Sequence, residues 1–107
     1  MGLKLEDLPE TVKIGGHDIQ IEVDPDLWLK QGIWGEADFR YRKIRIAENI
    51  PQGRVLAETI IHEVLHQVGN IYGANEHFDN DILNRIDGGL LDFLVHNKEL
   101  VELLLDA

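Results

Sequence analysis

The hydrophobic pattern of this chain changes its period near the middle, and that change constrains the fold more than any other feature. In the first half apolar residues alternate with polar ones: Val12 and Ile14, then Ile19, Ile21 and Val23. Alternation marks a strand with one buried face. Gly15-Gly16 separates the two runs, and paired glycines supply the positive φ angles of a two-residue hairpin turn. After the loop-like stretch DPDLWLKQG, a second alternation places Ala37, Phe39 and Tyr41 on one strand face. Ile44 and Ile46 lie on the next strand, so a second hairpin should turn near Arg42-Lys43.

Beyond Asn49, Pro51 and Gly53 the spacing becomes helical. One helix is expected from about residue 53 to 70, with Gly69 near its end. A second should run from about 77 to 96, because Ile82, Leu83, Ile86, Leu90, Phe93 and Leu94 recur at i, i+3 and i+4. A short third helix, about 98 to 106, would set Leu100, Val101, Leu103 and Leu104 against the rest. Strands followed by helices predict an α+β fold, with a small, mainly antiparallel sheet of two hairpins preceding the helices. No repeat or linker interrupts the 107 residues, which are expected to form one domain.

The short peptide IIHEVLH, residues 60 to 66, carries the chemistry. On a helix, His62 and His66 lie one turn apart and about 40° round, so both rings can converge on one ion. Glu63 lies about 100° from His62, too far round to complete the same tetrahedron but within reach of a water held there. H-E-x-x-H on a helix therefore reads as two ligands and a general base, with zinc the best match for such donors. On the helical wheel Ala57, Ile60, Val64 and Val68 oppose His62, and Ile61 and Leu65 widen that apolar sector. The helix should anchor through that sector while the histidines face a cleft.

A catalytic zinc takes a third protein ligand and keeps a position for water. Glu76, His77, Asp79 and Asp81 stand at the start of the next helix. Asp79 lies one turn before its apolar stripe and is the first choice, with Asp81 next. The same residues also suit helix capping and the positive end of the helix dipole.

TIIHEVLHQVGNIYG followed by DILNRIDGGLLDFLVHNKEL, with GIWGEADFRYRKIRIAENIP before them, resembles small phage and prophage zinc-metallopeptidase-like proteins, compact relatives of the ImmA/IrrE-type metallopeptidases. The similarity runs over about residues 33 to 100. It implies a minimal gluzincin-like site in which His62 and His66 hold Zn2+ and Glu63 activates water. In such proteins the third ligand is typically acidic, commonly Glu, early in the following helix. Here that stretch is Asp79-Asn80-Asp81, and one register puts Asn80 at the acidic position.

The resulting expectation is a zinc-dependent peptidase acting on a peptide or protein substrate. The substrate would lie along the edge of the hairpin containing Phe39 and Tyr41; Tyr72 and His77 are candidates for stabilising the oxyanion, with packing or a surface position the more common role of each. Trp28 and Trp34 are expected in the core, with the cleft wall as the alternative, and Gly35-Glu36 suits a bulge or turn beside the site. His17 and His96 are expected at the surface.

Charge sets the competing readings. Twenty acidic residues against ten basic ones give a formal charge of -10, which argues against direct nucleic-acid binding. The same surface suits an acidic DNA-mimic inhibitor, and a scaffold lacking a strong third ligand suits a zinc-bound binding module without hydrolysis. The absence of cysteine, of a signal-like apolar run and of any membrane-length segment predicts a cytoplasmic protein with no membrane association.

Overall fold

The computed structural model describes residues 2–106. The first hairpin joins β1 (Thr11–Ile14) to β2 (His17–Asp24), with Ile14 opposite His17. Gly15 and Gly16 form its turn at φ 56° and 81°, values a side chain at Cβ would resist. The second hairpin joins β3 (Gly35–Asp38) to β4 (Lys43–Ala47), with Asp38 opposite Lys43. Between β2 and β3 lies α1 (Leu27–Gln31), whose Leu27 is buried.

The two hairpins meet along a parallel seam. β2 pairs with β4, Ile21 opposite Ile44 and Val23 opposite Ile46, giving the order β1-β2-β4-β3. The chain thus leaves β2, crosses through α1 to the outer strand β3 and returns as β4 beside its starting point. The fold is α+β with one mostly antiparallel four-stranded sheet. β3 lies at one end of it and is shorter than the alternation suggested. It stops at Asp38 because the Asp38 carboxylate accepts the Tyr41 N–H at 3.0 Å, drawing residues 39–42 into a turn.

Three helices follow: α2 (Arg54–Ile71), α3 (Asn80–His96) and α4 (Lys98–Leu105). Ile19, Ile44, Ile46, Ile50 and Leu56 form the buried core, and Ile60, Val64 and Ile71 of α2 pack onto it. The sheet-facing side of α2 is not purely apolar, because Glu63 and Gln67 are also buried. Gln67 Nε2 donates to the Lys43 carbonyl at 2.9 Å and so ties α2 to the second hairpin. Of the predicted stripe on α3 only Leu83 is fully buried, while Ile82, Ile86, Leu90 and Phe93 stay 37–43% exposed. α3 leans chiefly on α2, so one row of its side chains meets the body of the molecule. α4 has no buried residue, and its Leu103 and Leu104 are 69% and 56% exposed because it packs chiefly against α3. Among the described residues no helix is long and apolar enough to cross a membrane.

Candidate metal centre

His62 and His66 project from adjacent turns of α2, with ring centroids 4.8 Å apart. The facing end of α3 supplies a third donor. The amide oxygen of Asn80 lies 3.0 Å from His62 Nε2 and 2.7 Å from His66 Nε2. A tetrahedral ion with bonds of about 2.0–2.1 Å sets its donors about 3.3–3.4 Å apart, so the two Asn80–imidazole separations are a few tenths of an ångström shorter than a zinc site requires. The residues present fit a metal.

Asp79 and Asp81 are employed elsewhere. Asp79 is the N-cap of α3, its Oδ1 accepting the Ile82 N–H at 2.9 Å. That bond starts the helix at Asn80, three residues later than the periodicity suggested. Asp81 lies in the exposed first turn, 3.4 Å from Arg85. The structure therefore puts Asn80, and neither aspartate, against the imidazoles. Glu76 and His77 are exposed and 3.3 Å from each other.

One carboxylate was not singled out from sequence. Asp87, two turns along α3 from Asn80, has its Oδ2 3.0 Å from His62 Nδ1. An ionised carboxylate only accepts, so His62 Nδ1–H donates to it and Nε2 is left as a lone pair turned toward His66 and Asn80. A metal-binding imidazole is commonly fixed in this way. The other Asp87 oxygen accepts the Gly88 N–H at 2.6 Å. The i, i+7 relation between Asn80 and Asp87 was the available signal, because such residues share a helix face.

Glu63 is 6% exposed. Its carboxylate and the ring nitrogens of His62 and His66 all lie within 4.8 Å of one another. Burial pushes its carboxyl up to about 7, opposed by the nearby His62 and reinforced by Glu36. The strand above Glu63 is glycine for a steric reason. A Cβ on Gly35 would sit 2.7 Å from Thr59 Cγ2 and 2.9 Å from Glu63 Oε2.

These groups line an open cleft of about 830 Å³ between β3, α2 and α3, walled also by Trp28, Trp34 and Phe39. Trp34 packs against the core as expected, whereas Trp28 is 38% exposed at the cleft wall. Tyr72 and His77 are exposed and do not line the cleft. Tyr41 is 61% exposed and also lies outside its lining. His17 and His96 are at the surface. No protein-family model, curated protein or solved structure matches this chain.

Proposed function

We propose that this chain is a zinc-dependent metallopeptidase-like protein in which Glu63 is the general base. One observation carries the reading: three atoms able to ligate a metal on two helices, His62 Nε2, His66 Nε2 and Asn80 Oδ1, converge beside a buried carboxylate in an open cleft. Zinc, when bound, supplies a Lewis acid that polarises a carbonyl and acidifies water. Glu63 takes the proton from the attacking water and returns it to the leaving amine. Its enclosure beneath Gly35 keeps the carboxylate poorly solvated and basic enough for the first step. Asp87 holds His62 in the tautomer that presents Nε2. β3 ends the sheet beside the cleft, so its unpaired edge can take an extended peptide as an added strand.

Asn80 favours a second reading, a metal-bound binding module with little hydrolysis. An amide oxygen carries no net charge and holds a divalent cation more weakly than a carboxylate would.

A mixed peptide library read by mass spectrometry separates the two. Under the peptidase reading, zinc-loaded protein cleaves it and Glu63→Gln lowers the rate by about 10²–10⁴-fold with zinc still bound. Zinc binding without cleavage favours the module. Cleavage indifferent to Glu63→Gln overturns Glu63 as the base.

A further inference from the structure

The cleft beside the histidines has a second chemical character. Trp28 and Trp34 stack with centroids 3.9 Å apart and planes 11° from parallel. One face of Trp28 is covered by Trp34, while Trp28 as a whole remains 38% exposed at the cleft wall. The same wall carries Glu36, Glu58, Glu63 and Asp87 and neither lysine nor arginine. Arg45 and Arg54, which bond Glu36 and Glu58, lie outside the lining. Glu63, 6% exposed, also lines the cleft.

A partly exposed indole in a cleft lined by carboxylates selects among side chains. A neutral apolar group would strip water from the carboxylates and give nothing back. A planar guanidinium extends the indole stack and keeps its charge in the acidic field, and an ammonium does the second of these. The aliphatic stem of either rests on apolar surface such as Ile33 and Val55, both in the same lining. The chain's net charge of -10 draws cations toward the molecule as a whole.

We propose that this cleft takes a basic peptide segment whose arginine or lysine side chain lies on the exposed face of Trp28. The proposal rests on the peptide reading above and deepens it to a substrate class.

Trp28 and Trp34 are the chain's two tryptophans, so intrinsic fluorescence reports this cleft directly. Metal-free wild-type protein, held in chelator so that no peptide is cleaved and Glu63 is retained, is titrated with blocked, alanine-flanked peptides differing only in a central Arg, Lys, norleucine or Phe. The Arg and Lys peptides should shift the emission and bind about fivefold more tightly than norleucine. Raising salt from about 50 to about 300 mM should narrow that gap. Trp28→Leu and Trp28→Ala, checked for folding by circular dichroism, should erase the preference while Trp34 still reports binding. Norleucine or Phe binding as tightly as Arg overturns the proposal, as does unchanged fluorescence with every peptide. Cationic preference without cleavage by the zinc-loaded wild-type protein sinks the peptidase reading alone, and cleavage without that preference sinks this proposal alone.

Discussion

At the residue scale the site is a division of labour between near neighbours. His62, Glu63 and His66 were legible in the sequence because their relation is local: i, i+1 and i+4 on one helix fix their directions before any tertiary contact forms. The third donor was harder to place. Asp79, Asn80 and Asp81 are adjacent, and the choice among them turns on which one caps α3. Once Asp79 accepts the Ile82 N–H, Asn80 is the residue that faces α2. Asn80→Asp replaces a neutral oxygen donor with a carboxylate of the same reach, so zinc affinity should rise, by about tenfold or more in a competition titration. An unchanged or lower affinity would remove Asn80 from the site. Asp87 depends on how α3 crosses α2, which sequence spacing does not specify. Asp87→Asn leaves the shape but loosens the hold on His62, and zinc affinity should fall about 10–100-fold with folding preserved.

At the scale of elements, the second hairpin sets the floor of the cleft. The alternating pattern identified both of its strands, but the end of β3 was set by a side chain. Asp38 accepts the Tyr41 N–H and also receives Arg45 Nη2 at 2.9 Å, and these bonds hold its carboxyl below the usual range. A lowered folded-state pKa stabilises the protein above the unfolded value and is lost as pH falls through the folded one. The difference in urea midpoint between wild type and Asp38→Asn should therefore correspond to about 1 kcal/mol at pH 7, persist down to about pH 4 and shrink below it. Gly35 governs the approach of β3 to α2. Gly35→Ala must move Thr59 or Glu63, so it should destabilise the fold by about 1–3 kcal/mol in chemical denaturation. In metal-loaded protein it should also slow any hydrolysis, because the added methyl crowds Glu63, the base, as well as Thr59. The stacking of Trp28 on Trp34 was not legible either, since it joins α1 to the entry of β3 through tertiary packing alone.

At the scale of the molecule, the parallel seam between β2 and β4 makes one sheet of two hairpins, and α2 lies on it as the platform for the histidines. The sequence showed the hairpins and the helices, because each is a local pattern. The seam escaped it, because a crossover pairing leaves no short-range mark. α3 meets the rest of the chain mainly through α2, and the triad His62, His66 and Asn80 spans that contact. A ligand held there binds only when the two helices are docked, so metal should stabilise the whole fold. At zinc about a hundredfold above its dissociation constant the gain is about 2.7 kcal/mol, or roughly 10 °C in Tm for a domain of this size. Chelator should reverse that shift and His62→Ala should abolish it. Equal Tm with and without zinc would place any bound metal elsewhere.

An anomalous difference map from zinc-loaded crystals tests the proposed centre most directly. The expected result is one peak about 2.0–2.1 Å from both His62 Nε2 and His66 Nε2, with Asn80 Oδ1 as the third protein donor and Glu63 beside the open side. No peak between the two imidazoles, with the Asn80 side chain still against them, would contradict it.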